Sequence, residues 1–392
     1  MANQRDVGTY VVCSTSGESF RAFIPASLPP HPPLNLDADL TRLLENANRA
    51  LGRLDGIAGV LPDPKLLLYH YVRKEAVLSS QIEGTQSSLS DLIKYEMKEA
   101  PGVPLADAAE VSRNVSALDH GFRRLREGFP LSLRLLCEVH AKLMASGRGA
   151  QQQPGEFRRS QNWLGGTRPG NARFVPPPPE RLMDCLGPME KFIRDEQVPP
   201  LVRAALTHVQ FETIHPFLDG NGRVGRLLIL LMLVDSGALK TPLLYLSLYF
   251  KTNRAEYYDR LQRVRTHGDW EGWLRFFLAG VELMARDATD TLSRLNTLFQ
   301  KDGQRIGKFG RLADSAAKLL LHLRGRPMTT VALASKATGI NRTTITTVLG
   351  RLIKLKIVRE LTGQKRNRLF AYDGFLKILS EGTEPLPEHV GD

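Results

Sequence analysis

HPFLDGNGRVGR, residues 215–226, runs without a break into LLILLMLV at 227–234. Eight apolar residues in succession belong in a core, as they do in a helix buried on all sides. A histidine, an aspartate, three glycines and two arginines placed directly before such a run must be paired or put to use. Pro216 disfavours helix at the residue before it, so His215 is expected on a loop just past a helix over 200–214. A histidine displayed there can accept a proton near neutral pH. Gly220 and Gly222 permit positive φ and close backbone approach. Their N–H groups and that of Asn221 can converge on an anion. A helix starting near Gly222 or Arg223 points its positive end at the same spot. Arg223 and Arg226, three residues apart, add two guanidinium forks. Asp219 would repel a phosphate unless a cation lay between them, and one carboxylate beside a polyphosphate suits Mg2+. The apolar run then anchors this cradle rigidly in the core.

Working outward, the 392 residues exceed one ordinary domain, and 42% hydrophobic with 24% charged residues is globular composition. The longest apolar run falls far short of the ~18 residues of a membrane span, so no membrane role is expected. The N-terminus lacks the pattern of a signal peptide. Cys13, Cys137 and Cys185 lie far apart and make no metal spacing, which fits a reducing cytoplasm. Residues 1–35 read as irregular, with PASLPPHPP at 25–33 extended. Apolar residues at helical spacing begin near Asp37, and the chain reads as mainly α. Helices are expected at about 64–82, 106–126, 132–145, 180–195, 200–214, 223–236, 254–266 and 270–299. Between them, 158–179 contains the turn signal RPGN and reads as a β-hairpin flap.

The charge is uneven. Of 53 Lys and Arg, 16 lie between Arg305 and Glu381 against four acids, which accounts for the whole net charge of +12. That stretch reads as three short helices and a two-stranded hairpin turning near 362–367, the order of a winged helix-turn-helix over 311–382. Residues 299–310 are expected as a linker and 383–392 as a tail. Asn341, Arg342, Thr343 and Thr344 would open the recognition helix, with Lys365, Arg366 and Arg368 in the wing. Such a unit suggests DNA as a partner; a solvated basic surface is the alternative.

The 215–226 string matches the signature of the Fic family, HxFx(D/E)GNGRxxR, at His215, Phe217, Asp219, Gly220, Asn221, Gly222, Arg223 and Arg226. FVPPPPERL and the helices after the motif also resemble bacterial Fic proteins. The likeness extends over about 40–285, and the winged-helix tail recurs in relatives. It implies a Fic-type helical core at 116–298, preceded by a helical region at 1–115. It implies AMP transfer from ATP to a Ser, Thr or Tyr hydroxyl of a target protein docked at the flap. His215 would be the base and Asp219 the Mg2+ ligand. The segment Gly220, Asn221, Gly222, Arg223, Val224, Gly225 and Arg226 would bind the nucleotide phosphates, the Asn221 side chain included, with Arg226 on the γ-phosphate. Tyr257 or Tyr258 would lie against adenine. A homodimer is left open. So are a DNA-binding regulator with a nucleotide-sensing core, and transfer or removal of another phosphate-containing group.

SSQIEG at 79–84 is the second signal. A carboxylate near a helix C-terminus is unfavourable by about 0.3–1 kcal/mol and wants a cation. Spacing alone would leave Glu83 an ordinary exposed glutamate. Beside the motif, Ser79, Glu83 and Gly84 fit the family's inhibitory pattern (S/T)xxxE(G/N). The resemblance then implies that Glu83, on a helix over about 64–84, pairs with Arg226 and blocks the γ-phosphate.

Overall fold

A computed structural model describes residues 5–15, 17–60, 64–97, 105–146, 150–364 and 367–386. The chain opens with an antiparallel hairpin, β1 (Gly8–Thr15) and β2 (Glu18–Pro25), where the sequence reads as irregular. Phe20 and Ala22 are buried on one face with Val11, Cys13 and Val175, while Tyr10 and Val12 on the other face remain exposed and Phe23, opposite Tyr10, is buried. Successive strand residues point to opposite faces, so the hairpin is covered on the Phe20 face and, on the other, only at Phe23.

Helices follow: α1 (Ala38–Val60), α2 (Pro64–Ile82), α3 (Leu89–Glu96), α4 (Leu105–Arg126), α5 (Leu133–Leu143), α6 (Leu182–Ile193), α7 (Pro200–Ile214) and α8 (Asn221–Asp235). Then come α9 (Ser247–Thr252), α10 (Arg254–His267) and α11 (Trp270–Ile306). Sequence signals set several ends. Ser88 caps α3 in a reciprocal capping box with Asp91. Gly268 closes α10 in the left-handed conformation. α7 and α8 are buried on nearly every side and pack on each other at the centre.

α4 packs against α2, α5 and α8. A domain boundary at 115/116 would cut this helix in half, so the N-terminal helices and the core share one hydrophobic interior. The 158–179 segment is a loop closed by a single bridge between Leu164 and Phe174, with a 3-10 turn at Pro169–Asn171. Its outer limb is held to the first hairpin, where Phe23 N–H donates to the Val175 carbonyl at 2.9 Å.

The expected linker at 299–310 is not a linker. α11 continues to Ile306, and a 3-10 stretch follows at Gly307–Leu312. The helix persists because Asp302 and Ile306 are buried against the next unit, with Asp302 accepting from the Tyr372 hydroxyl at 2.9 Å. That unit comprises α12 (Ala313–Gly325), β3 (Met328–Thr330), α13 (Val331–Thr338), α14 (Arg342–Lys354), β4 (Val358–Glu360), β5 (Leu369–Tyr372) and α15 (Asp373–Ser380), with sheet order β3-β5-β4. Within the expected tail, Thr383 is buried and its carbonyl accepts from Gln81 Nε2 at 2.9 Å. The C-terminal unit thus rests on α2, where His70 Nε2–H also donates to the Arg324 carbonyl at 3.0 Å. Lys365 and Arg366 lie outside the described residues.

Candidate active site

Between the ends of α2, α7, α8 and α10 lies a cavity of about 300 Å3. Its lining includes Glu83, Glu212, His215, Asp219, Gly220, Asn221, Gly222, Arg223, Arg226, Tyr257 and Tyr258. The apolar run of α8 is buried throughout 227–233, so the first turn bearing the arginines is anchored in the core.

His215 caps α7 with φ 50° and ψ 61°, left-handed for a non-glycine residue. Conformations of this kind persist where surrounding structure enforces them, and here that structure is Arg158. Its Nε donates to the His215 carbonyl at 2.9 Å, and its backbone N–H donates to the Pro216 carbonyl at 2.9 Å. Asn162 Nδ2 donates to the His215 and Phe217 carbonyls. Both braces come from the first residues of the 158–179 flap, so flap and loop are one built unit. The His215 imidazole is pushed down to about 3, mainly by burial and then by the neighbouring Arg265 charge. The ring is therefore neutral at physiological pH, as a proton acceptor must be.

His140 is a third brace. Its ring stacks on Phe217 at 3.8 Å. Nδ1 accepts from Gly155 N–H at 2.9 Å, which leaves Nε2–H to donate to the Asp219 carbonyl at 3.1 Å. Neither Arg158 nor His140 carries a motif, and only tertiary packing reveals them.

The structure revises several expected roles. The Asn221 side chain is not free for a phosphate: Oδ1 accepts from Phe217 N–H and Nδ2 donates to the Phe217 carbonyl, both at 2.8 Å. It closes the loop on itself. Val224 is fully buried and its N–H is spent on the Gly220 carbonyl. Gly225 is not itself in the lining but lies behind the Glu212 carboxyl, where a Cβ would collide. Gly220 does adopt positive φ, 77°, and α8 starts directly after it at Asn221. Arg223 is held by Glu110 at 2.6 Å, with Asp219 3.6 Å away. Tyr257 is buried, stacks on Phe250 at 4.6 Å and donates its hydroxyl to His208 Nε2 at 2.8 Å, since His208 Nδ1–H is committed to the Gly225 carbonyl. Tyr258 is half-buried, with the Arg254 guanidinium over its ring.

Arg226 is 2% exposed and is held through Nε and Nη2 by the C-terminal end of α2 and the residue after it. Nη2 pairs with Glu83 Oε1 at 2.6 Å, Nε donates to Ser79 Oγ at 2.9 Å, and Nη2 donates to the Ser79 carbonyl at 3.0 Å. Glu83 is the first residue past α2, and Gly84 turns the chain away at φ 98°. Burial alone would raise the Glu83 carboxyl, but the Arg226 charge and hydrogen bond outweigh it and hold it below the usual carboxylate range. Glu83 rests on Gly222, where a Cβ would meet its carboxylate.

Asp219 accepts from Gly220 N–H at 2.6 Å, and its side chain is 43% exposed. Among the described residues no cluster of three or more His, Cys, Asp or Glu could hold a metal. The donor set fits a cation shared with phosphate oxygens and not an all-protein site.

Comparison with known proteins agrees with this geometry. The Fic/DOC family N-terminal profile matches residues 41–123, and the Fic/DOC family profile matches 130–233. A protein of Aedes aegypti named protein adenylyltransferase Fic is 34% identical over 149 residues, 37% of this chain and 27% of that protein. Protein adenylyltransferase fic-1 of Caenorhabditis elegans is 32% identical over 154 residues, 38% of this chain and 27% of that protein. The matched region thus spans about a quarter of the length of these relatives. The crystal structure of a Fic family protein from Desulfovibrio desulfuricans superimposes with a TM-score of 0.58 at 20% identity, over 87% of this chain and 98% of that one. That likeness extends the shared fold beyond the two matched regions. Over residues 41–233 the chain belongs to the Fic/DOC family, with its N-terminal region and its Fic domain in sequence.

Proposed function

We propose that this protein transfers AMP from ATP to a hydroxyl of a target protein, and that Glu83 holds the transfer in check. One observation carries the reading. A neutral, backbone-braced histidine shares a cavity with the amino-terminal turn of α8 and with an arginine held by a carboxylate from another helix. The relatives' printed activity supports it.

In this reading His215 takes the proton of the target hydroxyl. The oxygen attacks the α-phosphorus, the bond to the departing phosphate breaks, and pyrophosphate leaves. The free N–H groups of the first α8 turn and the helix dipole stabilise the phosphate charge. Arg226 takes the γ-phosphate once Glu83 withdraws. Asp219 would hold Mg2+ together with phosphate oxygens, and that ion would neutralise phosphate charge when bound. Tyr258 is the better candidate to lie against adenine, because one face of Tyr257 is committed to Phe250. The target docks at the 158–179 flap, whose first limb is tied to the His215 loop. No described helix is long and apolar enough to cross a membrane, and the three cysteines are free thiols; we place the protein in a reducing cytoplasm. Intact-mass measurement after incubation with Mg2+ and ATP tests the reading. One added adenylyl group supports it, and any other added group redirects it.

A second reading concerns the C-terminal unit as a winged helix-turn-helix. α14 buries Ile345, Val348, Leu349 and Leu352 and exposes Arg342, Thr343, Thr346, Thr347 and Arg351. A groove between it and the β4–β5 wing is lined by Arg342, Thr346, Asn367 and Arg368. Such a basic, polar helix face suits duplex DNA. Asn341 caps this helix, its Oδ1 accepting from Thr344 N–H at 2.8 Å, and is itself exposed.

A further inference from the structure

Glu212 lies one turn before His215 on α7, and no motif singles it out. Its side chain is 8% exposed, and Oε1 is buried with no hydrogen-bond partner among the described residues. Oε2 lies 4.0 Å from His215 Nδ1. The same ring nitrogen is 3.4 Å from the Glu212 backbone carbonyl, to which it can donate. The carboxyl rests over Gly225, where a side chain would displace it. A buried carboxyl with an idle oxygen in the lining of a reaction cavity calls for a reason.

The charges around His215 supply one. When His215 takes a proton it becomes a cation. Arg265 and Arg158 both disfavour that cation, and burial disfavours it more. The lining holds four carboxylates. Glu110 is committed to Arg223. Asp219 lies beyond the loop, close to Arg223 and at the place of the phosphates. Glu83 is bound to Arg226 and must leave for ATP to seat. Among the described lining residues that leaves Glu212, which faces His215 from its own helix, Arg226 from α8, Arg265 and Tyr257 from α10, and Glu83 from the end of α2.

We infer that Glu212 is the positioning residue for His215: it keeps the Nδ1–H tautomer turned inward, so that Nε2 meets the target hydroxyl, and it balances the imidazolium that forms. The inference rests on the AMP-transfer reading. The step balances. The hydroxyl proton moves to Nε2, Nδ1 keeps its own proton, and Glu212 remains unprotonated by the transfer. His215 later gives up the proton to solvent or to the departing pyrophosphate. Orientation of a histidine base by a carboxylate at Nδ1 is a recurrent device, and its loss can reach ~10^4-fold in kcat where the contact is short.

The test uses the full chain carrying Glu83→Gly, compared with Glu83→Gly/Glu212→Gln. Glutamine keeps the shape and removes the charge. Because the contact is long, kcat should fall about 10–100-fold, below the short-contact limit, while KM for ATP stays within about threefold. Burial raises the Glu212 carboxyl to about 7. The ratio of the two kcat values should therefore widen as pH rises through neutrality, since only glutamate gains charge. Nitrogen-15 shifts of the His215 ring, read without ATP, should show the Nδ1–H form weakened by Glu212→Gln. Equal kcat values, or a ratio flat with pH, would overturn the inference even if the variant were less heat-stable. If the Glu83→Gly protein transferred nothing, the AMP-transfer reading would fall. The ring shifts would then still decide whether Glu212 orients His215.

Discussion

Glu83 Oε1 and Arg226 Nη2 are 2.6 Å apart, although 143 residues separate them in the chain. The arginine is 2% exposed and the glutamate 37%, so the pair is sealed on one side and open to the cavity on the other. Removing one partner of a fully buried pair costs about 3–5 kcal/mol, and an exposed pair is worth about 0–1. A half-open pair falls between, near ~1–2 kcal/mol, which is about tenfold in occupancy of the released arginine. Glu83→Gly should therefore raise the initial rate of transfer about tenfold. Arg226→Ala should stay inactive, and the double variant should match Arg226→Ala. A double variant as fast as Glu83→Gly would show that Arg226 is not the group Glu83 restrains.

His215→Ala should abolish transfer while leaving ATP affinity within about threefold, because the base and the phosphate-facing turn are separate parts of the cavity. General base catalysis is worth about 10^2–10^4-fold. The comparison is made in the Glu83→Gly background by single-turnover rate and by calorimetric titration with ATP. A retained rate would remove His215 from the chemistry.

The pattern in the sequence made part of this visible. A helix break at Pro216, two glycines and the apolar run located the loop, the α8 start and the two arginines to within a residue or two. The SSQIEG helix end located Glu83. What the sequence could not show depends on side chains meeting from afar. Arg158 and Asn162 reach back to the His215 loop, and His140 stacks on Phe217; each residue alone has an ordinary neighbourhood in the chain. The family resemblance implies that the Asn221 side chain binds phosphate, but its amide is paired with the Phe217 backbone. The first hairpin is not legible in the sequence because its alternation is carried by Thr, Ser and Cys as much as by apolar residues. Gln300, Lys301, Asp302 and Gly303 give the last turns of α11 the local composition of a linker, yet packing on the C-terminal unit overrides that preference.

Gly225→Ala should lower both stability and activity, because its Cβ would collide with the Glu212 carboxylate from within the helix backbone. Overpacking of this kind costs about 1–3 kcal/mol. Thermal denaturation should show a drop of several degrees, and the transfer rate should fall with Glu212 displaced. A variant as stable and active as its parent would mean that the carboxyl moves aside freely.

Acid should destabilise the fold. Burial pushes His70 and His140 down to about 4, and His208 and His215 down to about 3. Each contributes stability that is present above its unfolded value of about 6.5 and is lost as pH falls toward the folded value. Burial raises Glu75 and Glu212 to about 7. Their contribution runs the other way, present below about 4.3 and lost as pH rises through 7. Two more protons are therefore taken up on unfolding than these two carboxyls release, which gives a slope of roughly 3 kcal/mol per pH unit between about pH 5 and 6. Urea midpoints across that range measure it, and a flat profile would contradict the burial of these rings.

The C-terminal unit should bind duplex DNA weakly, with affinity falling steeply as salt rises. The full chain is compared with Arg342→Ala/Arg351→Ala in a low-salt fluorescence anisotropy titration. Loss of most affinity in the variant supports the exposed face of α14 as the contact. No binding by the wild-type chain to any duplex would remove DNA as a partner and leave the enzyme reading in place.

The most direct measurement incubates the Glu83→Gly protein with Mg2+ and ATP labelled at either the α- or the γ-phosphorus, and follows label on protein beside the wild type. Label should enter from the α-position alone, faster in Glu83→Gly than in wild type, and not at all when His215→Ala is added. Label entering from the γ-position, or equal α-label in wild type and Glu83→Gly, would contradict an AMP transferase restrained through Arg226.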